Sequence, residues 1–200
     1  MDHADLRRAI LDVSLKLGTE LGEDGLTMRA IARNLGVSAT ALYQHYEGKG
    51  AILRELRGRG VDLLNRFLAP AFDLPNPADR LRQNAVLYLR FSRVHPWMYD
   101  LLTESPEDWG ENTEEKKRSA LESLHRIRVA VEDCGAQGLL LDGVDPTAAP
   151  LAMWAALHGM ALLMNTGRVS PDHSHFPTDD TDVVTELFAD YVVRGFIRGS

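Results

Sequence analysis

The side chains with the clearest chemical purpose lie between Thr27 and Lys49. Ala39, Thr40, Tyr43 and Gln44 are small or hydrogen-bonding, and their spacing collects them on the outer surface of a short helix. Such a surface can enter the major groove of double-stranded DNA. The Gln44 carboxamide matches the donor and acceptor of an adenine edge, and Ala39 or the Thr40 methyl can meet a thymine methyl. No arginine that would read guanine stands there, so direct readout is expected to be modest, with phosphate contacts dominating affinity.

Other chemistries find less support. There is no phosphate-binding glycine loop, no Gly-x-Ser-x-Gly elbow and no His-Glu-x-x-His, and no nucleophile stands beside an evident base, so an enzyme is not expected. His173-Ser174-His175 could bind a metal with Asp172 or Asp179, but it lies in a Pro- and Asp-rich loop with no further ligand group identified, and no cofactor is expected. A single cysteine, Cys134, excludes an intramolecular disulfide framework and reads as a buried small hydrophobe. No stretch approaches the roughly 18 uncharged apolar residues that cross a bilayer, and Met1-Asp2-His3-Ala4-Asp5 lacks the basic start of a secretory signal. A cytoplasmic protein with no membrane partner is expected.

The net charge of −7 looks unfavourable for nucleic acid, but charge acts locally. Residues 27–59 carry six cations, Arg29, Arg33, Lys49, Arg54, Arg57 and Arg59, against two anions, Glu47 and Glu55. The rest of the chain is strongly acidic and would turn that basic end toward DNA.

The elements that must position these groups read as helices throughout. Leu6, Ile10, Val13, Leu17 and Leu21 make one apolar stripe from about Asp2 to Leu21. Thr27 stands as N-cap to a short helix over Met28–Leu35, Gly36 as its left-handed stop, and Ser38 as cap to a third helix from Ala39 to about His45. Two short helices about a glycine turn are the helix-turn-helix pattern. A fourth helix is expected from Lys49 to about Ala69, before Pro70, with Gly58 and Gly60 each weakening it by about 1 kcal/mol relative to alanine. Further helices read as Ala78–Val94, Pro96–Glu104, Thr113–Cys134, a helix that Pro146 suits in its first turn and that runs to about Asn165, and Asp179–Arg198, with turn-rich Ser105–Asn112 and a Gly135–Asp145 loop. The fold expected is all-α: an N-terminal three-helix DNA-binding domain over 1–48, joined by the fourth helix to a larger helical domain over 49–200.

The run from Leu26-Thr27-Met28-Arg29-Ala30-Ile31-Ala32 through Leu35-Gly36-Val37-Ser38 to Ala41-Leu42-Tyr43-Gln44-His45-Tyr46, followed by Lys49, resembles the DNA-binding signature of the tetracycline-repressor (TetR) family, over about residues 5–65. Trp154-Ala155-Ala156-Leu157-His158-Gly159 resembles one branch of that family's C-terminal domains. The resemblance implies phosphate contacts from Thr27, Tyr43, His45 and Lys49, with Arg29 and Ser38 in the same DNA-contacting set. It departs from the usual pattern at Gly48 and Gly50, where a small polar and an acidic residue are common. Taken singly, Tyr43 and Tyr46 could be core aromatics and His45 a surface residue; Tyr46 is assigned to packing, Tyr43 and Lys49 to contact.

The family also implies a small-molecule effector held among central helices. Tyr88, Phe91, Trp97, Met98, Leu102, Cys134, Trp154 and His158 are the candidate lining residues, in a region that also holds Trp109, Met153, Met160 and Met164. Asn84, His125, His158 and Asn165 could orient a ligand, and the absence of a basic cluster points to an apolar or aromatic one. Each of these residues also reads as plain helical core. The last two helices carry the stripes Leu151, Trp154, Leu157, Ala161, Met164 and Val183, Val184, Leu187, Phe188, Tyr191, Val192, which in this family would form a homodimer's four-helix bundle. A ligand-releasable repressor on a palindromic operator is the function implied. An activator, a ligand-independent DNA-binding protein, a small-molecule-binding helical protein and an enzyme stay open as alternatives.

Overall fold

The computed structural model describes residues 3–103, 114–174 and 176–198. The expected turn segment Ser105–Asn112, with Trp109, and also His175 lie outside the described residues. Among the described residues the chain is helical, with no strand: α1 (His3–Gly25), α2 (Met28–Leu35), α3 (Ala39–Tyr43), α4 (Lys49–Phe72), α5 (Pro77–Val94), α6 (Pro96–Thr103), α7 (Glu114–Ala136), α8 (Ala149–Asn165) and α9 (Thr181–Arg194). The chain divides into two compact units, Met1–Asp62 with Pro96–Lys116, and Leu63–His95 with Lys117–Ser200.

In the first unit, α1 runs past its expected stop at Leu21, but with a kink. Gly22 adopts φ 69° and ψ −174°, a region essentially confined to glycine, so Glu23–Gly25 break from the line of the helix. The local signals for α2 and α3 act as their spacing predicts. The Thr27 hydroxyl accepts the Ala30 N–H at 3.1 Å, Gly36 closes α2 at φ 68°, and the Ser38 hydroxyl accepts the Ala41 N–H at 3.2 Å. Helix α3 ends at Tyr43, earlier than expected, because the Leu42 carbonyl takes both the His45 and Tyr46 N–H groups, at 2.9 and 3.0 Å, and closes the turn.

Ile10 and Leu11 of α1, Leu26, Ile31 of α2, Leu42 of α3 and Ile52 and Leu56 of α4 are fully buried and form this unit's core. Helix α6 packs on α1 so closely that a Cβ on Gly18 would fall 2.2 Å from the Trp97 ring. Gly60 likewise admits Met98, whose Sδ would lie 2.3 Å from a Cβ there, so this glycine serves a contact in a continuous α4. Arg57 is buried, and its Nε donates to the Leu101 carbonyl at 3.2 Å.

Helix α4 passes through Pro70 to Phe72. Pro70 forgoes the bond to the Arg66 carbonyl and crowds that carbonyl with its ring, but only in the last turn, and Leu68 and Ala71 beside it are buried, so packing outweighs the loss.

In the second unit, Asn76 caps α5 by accepting the Ala78 N–H at 2.8 Å, with Pro77 in the first turn. Helix α5 packs against both α8 and α9. Ala78, Leu81, Ile127, Val131, Cys134, Met153 and Val193 share one core cluster. Arg82 pairs with Asp190 and Arg93 with Asp182, at 2.5 and 2.9 Å, tying α5 to α9, while Arg80 reaches Asp133 of α7 at 2.8 Å. Helix α8 starts at Ala149, later than Pro146, because Asp145 caps a separate turn through the Thr147 N–H and hydroxyl, at 2.8 and 2.7 Å. Helix α9 stops at Arg194, short of the expected Arg198, because Ile197 pairs with Leu140 in an isolated antiparallel bridge whose Leu141 N–H donates to the Phe196 carbonyl at 2.9 Å.

Candidate nucleic-acid interface

The helix-turn-helix is assembled from its buried side. Leu42, fully buried, is the residue that sets α3 into the first unit's core, and its neighbours on the opposite side of the helix are left outward. Thr40, Tyr43 and Gln44 are exposed, Tyr43 at 56%, and Thr27, Arg29 and Ser38 are exposed beside them. Ala39, His45 and Lys49 are half-buried. Because Thr27 and Ser38 use their oxygens as acceptors in capping, their hydroxyl protons stay available to a phosphate oxygen.

A network invisible in the local sequence holds this arrangement. The Arg7 guanidinium lies 4.5 Å over the Tyr46 ring, donates from Nη1 to the His45 carbonyl at 3.2 Å, and pairs with the Glu55 carboxylate. The Tyr46 hydroxyl donates to the same carboxylate at 3.0 Å. Burial, then the bond to Glu55, pushes the Tyr46 phenol above its ordinary range, so it stays a protonated donor. Tyr46 is thus a core residue.

Lys49 is also engaged. Its Nζ lies 3.0 Å from Glu23 Oε1 and donates to the Glu23 carbonyl at 2.8 Å. Arg59 pairs with Asp12 at 3.0 Å, and Arg57 is buried. The basic excess counted over residues 27–59 is therefore reduced by acids of α1 that folding brings to it. Arg29, Arg33 and Arg54 carry the exposed positive charge. Sequence reasoning missed Arg7, Glu23 and Glu55, whose partners lie 38 and 48, 26, and 9 and 48 residues away, beyond any helical spacing.

The candidate effector residues fall into separate groups. In the first unit, Trp97 packs on Gly18, and Met98 and Leu102 pack on Gly60. In the second, the Tyr88 hydroxyl accepts the Trp154 Nε1–H at 3.2 Å and lies 3.5 Å from His158 Nδ1, with the Trp154 and His158 rings 5.9 Å apart. Phe91 is fully buried, edge-on to Phe67 at 5.5 Å. Cys134 sits in the α5–α7 core cluster, where burial first, and the Asp133 charge second, push its thiol up to about 11.

Of the polar candidates, Asn84 is buried on α5, Asn165 donates to the Ser92 carbonyl at 3.1 Å, and His125 is exposed. His173 and Asp172 are exposed, and among the described residues no three acidic, histidine or cysteine side chains gather as a metal site. A depression of about 550 Å³ lies beside the start of α9, lined by Arg93 and Thr178–Asp182, and is polar in character.

The expected stripes on the last two helices split between two faces. Leu157, Ala161 and Val184 are buried inside the unit, Met164, Phe188 and Val192 are half-buried, and Leu151, Trp154, Val183, Leu187 and Tyr191 are exposed, joined by Leu162 and Leu163 of α8 from outside the stripes.

Comparison with known proteins agrees with this layout. Residues 10–56 match the family described as bacterial regulatory proteins, tetR family, and residues 81–191 match the tetracyclin repressor-like C-terminal domain. An uncharacterized HTH-type transcriptional regulator of Mycobacterium tuberculosis is 30% identical over 197 residues, spanning 94% of this chain and 78% of that protein. Tetracycline repressor protein class D of Escherichia coli is 35% identical over 88 residues, 42% of this chain and 38% of that one. A solved protein of unknown function from Rhodococcus sp. RHA1 superimposes with a TM-score of 0.78 at 25% identity, covering 96% of both chains.

Proposed function

This chain belongs to the TetR family and is a DNA-binding transcriptional regulator, and from that premise we propose that it acts in the cytoplasm as a homodimeric repressor, released from a palindromic operator by a small apolar or aromatic effector. The observation that carries the reading is the outward surface of α3, where Thr40, Tyr43 and Gln44 are exposed while Leu42 is fully buried. In this reading Gln44, Thr40 and Ala39 meet base edges. Thr27, Arg29, Ser38, Tyr43, His45 and Lys49 meet phosphates and hold register.

The exposed apolar residues of α8 and α9 support the dimer. A second copy related by a two-fold axis would bury them in a four-helix bundle and set two recognition helices on successive half-sites. The Tyr88, Trp154 and His158 group supports an effector with aromatic or apolar surface and a few hydrogen-bonding atoms. The Trp154–Gly159 run then marks the branch of C-terminal domain, and 1–48 and 49–200 are the DNA-binding and effector-and-dimer domains. Effector binding shifts the population between two states, by no more than its differential affinity for them.

The test is selection of a duplex by the purified protein from a randomised pool, followed by an effector screen against that complex. A selected palindrome, released by an apolar or aromatic compound, is the expected result. A selected sequence with no two-fold symmetry, or one held equally at saturating concentrations of every bound compound, would overturn the repressor reading.

A further inference from the structure

Lys49 opens α4, the place from which a lysine can reach a phosphate, yet in this molecule both hydrogen-bonding groups of one residue already hold it. Its Nζ donates to the Glu23 carbonyl at 2.8 Å and lies 3.0 Å from Glu23 Oε1. The backbone responsible is unusual. At Gly22, φ 69° and ψ −174° break α1, and the residue that follows this glycine-only conformation presents its carbonyl and its carboxylate to the same ammonium. An ammonium has three donors, so one remains for a phosphate oxygen. Its charge, however, is already countered.

We propose that Glu23 is a built-in competitor of DNA phosphate for Lys49: the carbonyl keeps the ammonium in place, and the carboxylate lowers its pull on the backbone of the duplex. Both side chains are partly exposed, 33% for Lys49 and 40% for Glu23, so a phosphate can approach the pair from solvent. A phosphate seated on Lys49 stands roughly 5 Å from the Glu23 carboxylate, and at that separation in water like charges repel by an amount equivalent to about fourfold in affinity per half-site. A neutralised lysine also releases little counterion on binding, so the salt dependence is weaker than a free lysine would produce. Glu23 is in this sense a positioning residue, acting on DNA only through Lys49.

The inference rests on the interface proposed above, and the test separates the two. Wild type, Glu23→Gln, Lys49→Ala and the double variant are titrated against a duplex that the wild type has selected from a randomised pool, over a range of KCl concentrations. Glu23→Gln keeps the shape and the carbonyl bond. It should tighten binding several-fold at low salt and steepen the slope of log affinity against log salt by about 0.9 per half-site. The gain should shrink as salt rises and vanish in the Lys49→Ala background.

Unchanged or weaker binding by Glu23→Gln would overturn the proposal. So would an equal gain without Lys49, which would make Glu23 a general repeller of DNA. A wild type that prefers no sequence would overturn the interface itself.

Discussion

The surface of α3 and the outer face of α8 and α9 are both parts of the molecule that face solvent, and they expose opposite chemistry. On and beside α3, a helix of five residues seated by the single buried side chain of Leu42, the exposed groups are hydroxyls, a carboxamide and a phenol. On α8 and α9 the exposed groups are Leu, Val, Trp and Tyr side chains on helices of 17 and 14 residues. A surface built to meet base edges and phosphates needs hydrogen-bonding atoms in fixed places. One built to meet another protein surface needs apolar area, at about 25 cal/mol per Å² removed from water. The contrast supports the proposal that the first region meets DNA and the second another copy of the chain.

Substitutions can break that assignment, and the largest effect is expected on the apolar face. Leu187→Glu places a charge at an exposed apolar position that a two-fold interface would contain twice. It should weaken self-association by about 3–6 kcal/mol, read by sedimentation, while circular dichroism stays helical. An undisturbed oligomer would remove the dimer from this face. Leu42→Ala acts on the other region. It should destabilise the first unit by about 2–5 kcal/mol in denaturant titration and abolish specific DNA binding, yet leave self-association intact. Loss of the oligomer with Leu42→Ala would show that the two regions are not separable.

Smaller changes sharpen the picture. Thr27→Ala removes the α2 cap and should cost about 1 kcal/mol of stability, together with the DNA affinity its hydroxyl supplies. Equal DNA affinity after correction for folding would confine Thr27 to capping. Tyr43→Phe should leave thermal stability unchanged, since the residue is 56% exposed, and weaken operator binding by about 1 kcal/mol. An unaltered affinity would remove the phenol from the contact set.

Much of the first region was legible in the sequence because its determinants are local. Thr27 and Ala30, Ser38 and Ala41, and the left-handed Gly36 act over five residues or fewer, so the caps and the turn could be named from spacing alone. The ends of α3, α4 and α9 were less legible. The Leu42 carbonyl, the burial beside Pro70 and the Leu140–Ile197 bridge each settle a helix end by a contact that propensity does not contain.

The all-helical class, the helix-turn-helix and the family are legible along the chain, because helical periodicity, capping and a dense local motif are written in neighbouring residues. That Lys49 answers to Glu23, that Arg7 and Glu55 brace Tyr46, and which face of α8 is left outward emerge only from the packing of the helices. The difference is one of range. A hydrogen bond to the third or fourth residue is fixed by the backbone's own geometry, whereas an ion pair across 26 or 48 residues exists only once the helices carrying it have packed.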